Sequence, residues 1–369
     1  MGEEKKVSRR DYLKYTGAAI GGLVVGGALG YLAKPKEVIE KTATVTIPGA
    51  EKTVTTTVTA PPTKPKPKYK FYVVVHGGIV HPFWKVVEKG VRDADAILDE
   101  VEVVYTGPEI YKLEEFLSLL EAAVAAKPDA LLVTMTAPDA MKPTLLEAAK
   151  KGIIITEINT AWPKYPGRDP HKEIPVLTYV GEDHYKMGAL VAKSALRIAK
   201  EKGVTIKRVV YGNHHPGAWH IEERARGCLE TFKEAGIPGE QIDVTADPVK
   251  GAELLLAYIK AHPDTNFVQP AGTEHSEAFV KRLEEEGLIG KIYVGTIDLS
   301  PKVLEYIKEG KMWFATDQQQ YLQGYLGVML TYLHVAYKFM PPPVFPTGEA
   351  CVDATNVTAV EELVKQGIR

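Results

Sequence analysis

The sequence predicts an α/β protein made of two doubly wound parallel-sheet lobes. Three observations predict it. From Tyr69 onward, short apolar segments alternate with amphipathic stretches of helical period. The apolar segments are unbroken rather than alternating, as in Gly152–Ile158, which suits strands covered on both faces. About nine such strands over roughly 290 residues also exceed one comfortable core.

In chain order, Lys70–Val75 reads as a strand and Pro82–Leu98 as a helix opened by proline. Val101–Tyr105 is a strand. Leu113–Ala126 is a helix with Phe116, Leu117, Leu120 and Val124 on one side. The strand Ala130–Thr134, the helix Ala140–Lys151 and the strands Gly152–Ile158 and Val176–Gly181 complete the first run. The connection Ala161–Ile174, with Trp162, Tyr165 and several prolines, is long for its class and reads as a lid or a plain loop.

The alternation restarts with the helix His184–Glu201 and the strand Arg208–Tyr211. Trp219–Ala235 (helix), Gln241–Thr245 (strand), Lys250–Ala261 (helix), Asn266–Gln269 (strand) and Glu274–Glu286 (helix) follow. Lys291–Gly295 is a strand ending in Asp298. Ser300 then caps a short helix that begins at Pro301 and stops before Gly310. Met312–Thr316 is a strand closed by Asp317-Gln318-Gln319-Gln320. Gln323–Phe339 is an apolar and aromatic helix that Pro341–Pro346 stops.

Residues 1–33 read as an export segment. Ser8-Arg9-Arg10-Asp11-Tyr12-Leu13-Lys14 has the twin-arginine layout, followed by a Gly-rich apolar run from Ala18 to Ala33. No Ala-x-Ala site stands out, so the segment is a candidate membrane anchor. Residues 34–68, rich in Thr, Val, Lys and Pro, read as an extended stalk without a partner strand. The body is therefore placed outside the cytoplasm, periplasmic or extracellular. A net charge of -2 gives no electrostatic case for nucleic acid. Two cysteines, Cys228 and Cys351, are too few for a disulfide framework.

Ligands of open parallel sheets bind beyond the carboxyl ends of strands. There the sequence places His76, His81, Phe83 and Trp84, then Asn159, then Asn213 and Trp219, and finally Asp298 and Gln318. Aromatic rings suit the C–H face of a sugar; the amide, imidazole and carboxylate groups suit its hydroxyl rim. Across Val294–Tyr325, the run VGTIDLSP…EGK…DQQQYLQGY resembles the C-terminal third of periplasmic sugar-binding proteins of the ribose-binding type. The resemblance extends from about Tyr69 to Val357. It implies a type I periplasmic binding protein-like fold whose chain crosses between lobes three times. The N-terminal lobe would then be 69–181 plus 319–346, and the C-terminal lobe 182–318 plus 347–369. It also implies that His81 stands where the family has a ligand-binding asparagine. Asn159 matches a hydroxyl-binding Asp or Asn, Arg226 the sugar-binding arginine before Gly227, and Thr273 replaces a usual Asn-Asp contact.

The function implied is solute capture: a monosaccharide or polyol held between two lobes and delivered to an ABC transporter permease, by a monomer, with no catalytic residue, metal or cofactor. An exported metal-binding protein or enzyme is the alternative from another class. It would use the strand-end histidines His76, His81, His214, His215, His220 and His275, but no His-Glu-x-x-His, Gly-x-Ser-x-Gly or P-loop accompanies them. A ligand-binding subunit of a surface sensor would use the same cleft. A lac-repressor-type regulator is excluded by the N-terminus, which carries the export pattern in place of a helix-turn-helix.

Overall fold

The computed structural model describes residues 66–161, 173–348 and 350–369, together with strands β1 (Val38–Ile47) and β2 (Ala50–Thr59). The export segment and nearly all of the Ala161–Ile174 connection, with Trp162 and Tyr165, lie outside the described residues. β1 and β2 pair antiparallel, Val38 opposite Thr59 and Ile47 opposite Ala50. This corrects the expectation of an unpaired stalk: the Thr-Val alternation has strand propensity, and the second half of the segment supplies the missing partner.

Residues 66–369 form their own unit. Its first sheet holds β3 (Tyr69–Val74), β4 (Val101–Thr106), β5 (Ala130–Val133), β6 (Ile154–Ile158), β7 (Val176–Gly181) and β13 (Val344–Pro346). They lie in the order β13-β7-β6-β5-β3-β4, all parallel. The second sheet holds β8 (Arg208–Asn213), β9 (Gly239–Asp243), β10 (Thr265–Gln269), β11 (Tyr293–Ile297), β12 (Phe314–Asp317) and β14 (Ala350–Asp353). Its order is β14-β12-β11-β10-β8-β9, parallel except where β14 runs against β12.

Central strands are buried end to end: β5 reads Ala-Leu-Leu-Val and exposes none of it. The edge strand β9, Gly-Glu-Gln-Ile-Asp, is half polar and mostly open to water, which guards that edge against pairing with another chain. Helices cover both faces of each sheet. α1 (Pro82–Ile97) and α9 (Gln320–Tyr337) share one apolar cluster with the first sheet. α2 (Leu113–Ala125) and α3 (Pro138–Lys150) share the cluster on its other face. On the second sheet, α4 (His184–Lys202) and α5 (Trp219–Glu234) cover one face. α6 (Pro248–Ala261), α7 (Thr273–Glu285), α8 (Pro301–Lys308) and α10 (Val357–Lys365) cover the other.

The chain passes from one sheet to the other after β7, after β12 and after β13. These passages are tied together. The Thr347 amide donates to the Gly181 carbonyl at 2.9 Å, and the Gly348 amide donates to Gln319 Oε1 at 3.0 Å. Two strands were not foreseen, β13 and β14. The first, Val-Phe-Pro, ends in proline and is tolerated because it sits at a sheet edge, where few backbone donors are needed. Its neighbours Pro342 and Pro343 still contribute, as carbonyl acceptors for Thr178 and Tyr179.

One helix pair on the first sheet approaches closely at two glycines. A Cβ on Gly324 would lie 2.3 Å from the Val87 carbonyl oxygen, and one on Gly90 2.1 Å from that of Tyr321, so α9 lies against α1 almost backbone to backbone. Gly324→Ala should therefore destabilise the fold by about 1–3 kcal/mol through overpacking. Urea unfolding checks this. A change below about 0.5 kcal/mol would mean that the helices part freely.

Candidate functional site

The carboxyl ends of the two sheets face each other across a seam, and polar side chains from both reach into it. On the first-lobe side stand His76 after β3, Tyr111 after β4, Met135 after β5 and Asn159 after β6. On the second-lobe side stand His214, His215, Trp219 and His220 after β8, His275 on α7, Asp298 after β11 and Gln318 after β12. The lobes touch. Trp219 Nε1 donates to the Met135 carbonyl at 3.4 Å, and His81 Nε2 lies 3.3 Å from Glu274 Oε1. The rings of His76 and His220 are 6.1 Å apart, and those of Tyr111 and His215 are 6.4 Å apart.

The charged centre is a buried triad at the first passage between lobes. Glu182 follows β7 directly and is 1% exposed. Its Oε1 accepts from Arg224 Nε at 2.5 Å, pairs with a second Arg224 nitrogen, and lies 2.6 Å from His184 Nδ1. Burial works against the Glu182 charge, but Arg224 and then His184 outweigh it and hold the carboxyl below its ordinary range. For Arg224, burial likewise opposes ionisation, and Glu182 and Asp298 overcome it. Close packing fixes the backbone that carries Arg224: a Cβ on Gly188 of α4 would fall 1.8 Å from the Arg224 carbonyl oxygen.

Asp298 has a left-handed backbone, φ 74°. Gln318 Nε2 donates to both its carboxylate oxygens, at 2.9 and 3.0 Å. Burial pushes its carboxyl up to about 7, against the pull of Arg224. Burial keeps His76, His214 and His220 neutral. Burial, with His215 adding, pushes His76 down to about 3. His214 and His220 are driven well below the usual imidazole range by burial first and neighbouring cations second.

Several buried polar atoms at the seam have no protein partner: His76 Nδ1, Glu182 Oε2, His184 Nε2, His214 Nδ1, His220 Nδ1 and Gln318 Oε1. Unsatisfied buried groups are costly, so their convergence marks a place where a polar molecule belongs.

The sequence-predicted residues divide. His76, Trp219, Asp298 and Gln318 meet at the seam as just described, and His81 and Thr273, at the starts of α1 and α7, border it. Trp84 lies in the first-lobe core, its indole against Gly77 and edge-on to His76 and Phe83, so it supports the wall rather than offering a free face. Asn159 is committed locally. Its amide donates to Gln323, its side-chain oxygen accepts from Thr160, and φ is 63°. Asn213 is also engaged: its amide donates to Glu222 and its oxygen accepts from the His215 amide, shaping the histidine loop.

Arg226 is a correction. It lies on the outer side of α5, paired with Glu223 and Glu230 and stacked 4.4 Å over the Tyr185 ring. Two residues along a helix turn a side chain about 200°, so Arg224 and Arg226 face opposite ways, and the inward arginine is Arg224. Glu182, His184 and Tyr111 were missed because no motif marks them. The sequence signal for His184 was its place as the first residue of a helix following an acidic pair, Glu182-Asp183. Among the described residues, no group of three or more His, Cys, Asp or Glu is arranged to hold a metal ion. Cys228 and Cys351 are both free.

The Asp298 environment predicts a pH effect. A carboxyl whose folded value is raised stabilises the fold below the unfolded value near 3.9 and loses that contribution as pH rises toward about 7. The melting temperature of Asp298→Asn minus that of the parent should therefore grow from pH 4 to pH 7 and then level off. A flat difference would show that Asp298 ionises freely.

The comparisons with known proteins agree with this geometry. A family model described as a periplasmic binding protein domain matches residues 71–338. The xylose/arabinose-binding protein XylF of Sulfolobus acidocaldarius is 26% identical over 304 residues, covering 79% of this chain and 72% of the relative. A carbohydrate transporter from Acidothermus cellulolyticus, solved in complex with myo-inositol, superposes with a TM-score of 0.70 at 26% identity, covering 82% of this chain and all of its own. GanP, a glucose-galactose binding protein from Geobacillus stearothermophilus, does so at 0.68 and 25% identity, covering 79% and 99%. With two α/β lobes joined by three strand passages and most of its body matched by one domain model, the chain belongs to the periplasmic binding protein family.

Proposed function

We propose that this protein captures a monosaccharide or polyol in the interlobe seam and delivers it to an ABC importer. The carrying observation is the set of partnerless buried polar atoms contributed by both lobes. A ligand with hydroxyls on every side is the kind of molecule that satisfies such a set. The relatives named above are described with pentoses, hexoses or an inositol, which supports the same ligand class. Arg224 and Asp298 supply the forked donor and the acceptor, with Gln318 orienting the carboxylate. Hinge motion at the three passages opens and closes the lobes. The protein catalyses no reaction in this scheme.

The finer parts of the proposal concern location and partners. The Ser8–Lys14 pattern supports export by the twin-arginine machinery, and the apolar run to Ala33 supports a tether to the membrane. The body acts as a monomer that docks on a membrane permease.

Titration calorimetry with D-xylose, L-arabinose, D-glucose, D-galactose and myo-inositol tests the reading. At least one should bind, and Arg224→Ala should weaken it about 10- to 100-fold through loss of a charged hydrogen bond. Arg226→Ala should leave it unchanged. No binding across pentoses, hexoses and polyols would refute sugar capture. The reverse order of the two arginines would refute the site.

A further inference from the structure

Of ten histidines, seven (His76, His81, His184, His214, His215, His220 and His275) lie around the seam, contributed by both lobes. They fall into two ring-contact groups of three, with His81 beside them on Glu274. His184 and His220 are 5.7 Å apart, His76 and His220 6.1 Å, His214 and His215 4.4 Å, and His214 and His275 5.3 Å between ring centroids. Four of them keep a buried ring nitrogen with no protein partner. A neutral imidazole offers one donor and one acceptor, so it reads a hydroxyl in either sense.

We propose that His76, His184, His214 and His220 are ligand-reading residues, whose free ring nitrogens bond the hydroxyl groups of the captured solute, and that capture requires His76, His214 and His220 to be uncharged. The proposal deepens the sugar-capture reading and rests on it. His184 Nδ1 is already taken by Glu182, which leaves Nε2 for the ligand. His76, His214 and His220 each leave Nδ1.

The charges facing these rings decide what acid does. His76 meets Trp84 from α1, Tyr111 from the loop after β4, Phe116 from α2, and His215 and His220 from the other lobe; none is a carboxylate. His220 faces His184, His76, His214 and Arg224. His214 faces His215, His275, His81 and Arg224. The carboxylates nearby are engaged elsewhere: Glu182 with Arg224 and His184, Glu274 with His81, Asp298 with Gln318, and Asp247 with the start of α6. A proton added to His76, His214 or His220 would thus meet neighbouring imidazoles or Arg224 and no carboxylate, across the seam in the case of His76 and His220.

Closing the lobes therefore requires His76, His214 and His220 to be neutral. In an open, hydrated cleft they regain the usual value near 6.5, and in the closed form they lie far below it. Closure is fully favoured above pH 6.5 and is opposed as pH falls beneath it. One histidine that must shed its proton costs roughly 30-fold in affinity at pH 5.

The test is calorimetry on the full chain with D-xylose, L-arabinose, D-glucose and myo-inositol, from pH 7.5 to pH 5. Affinity should drop at least about 30-fold over that range. His220→Phe should weaken binding about tenfold or more at pH 7.5, through loss of a hydrogen bond. His220→Asn, which keeps a polar atom near Nδ1 but cannot titrate, should recover most of that loss and flatten part of the pH profile. Melting curves without sugar show whether each variant folds; if His220→Phe does not, His220→Asn alone decides through its pH profile. Sugar binding that ignores pH, and in which His220→Asn keeps the parent profile, overturns the proposal and leaves sugar capture standing. Absence of binding by all four at pH 7.5 overturns both.

Discussion

Arg224 is a buried cation, and the fold around it is arranged so that it can remain one. Glu182 meets it with two contacts, α4 and α5 are pressed together at Gly188, and Asp298 lies near enough to share the field. A charge at this depth without its partner would cost several kcal/mol, on the order of 3–5. The pairing also has a topological consequence. Glu182 belongs to the first passage between lobes, so the residue that neutralises Arg224 is the residue at which the chain passes from one lobe to the other.

The three passages are tied to one another by hydrogen bonds. Gln319 reaches the Gly348 amide, Gln323 reaches Thr347, and the Asn159 amide donates to Gln323. At the second passage, Asp317 is paired with Arg369 at 2.9 Å. Each lobe keeps its own pair of apolar clusters, one on either face of its sheet. The consecutive glutamines have separate partners: Gln318 grips Asp298 in the seam, while Gln319, with a left-handed backbone at φ 55°, turns away to the Gly348 amide.

Much of the architecture was legible. The strand–helix alternation, the restart after Gly181, the cap at Ser300 and the strand ends at Asp298 and Gln318 are written in local pattern, because burial on both faces demands continuous apolar runs. Family likeness to sugar-binding proteins was legible in the stretch from Val294 to Tyr325, and the domain match covers the body. Less legible were β13 and β14. Short edge strands need few donors and tolerate proline, so their sequences carry no strand signal.

The sequence by itself determined which residue types stand at the ends of strands, since order along the chain and strand period are local properties. It did not determine which way a helix presents its arginines. Only the packing of α4 against α5 decided that Arg224 turns inward and Arg226 outward. It did not determine that Glu182 would neutralise the one and His184 join them, because that contact spans 42 residues and exists only once the lobes are folded. It placed six of the seam histidines at strand ends, but not His184, nor which of the rings meet across the seam. Local chemistry is encoded in the order of residues; the pairing of charges and the neutrality of buried rings arise from exclusion of water, which is a property of the folded whole.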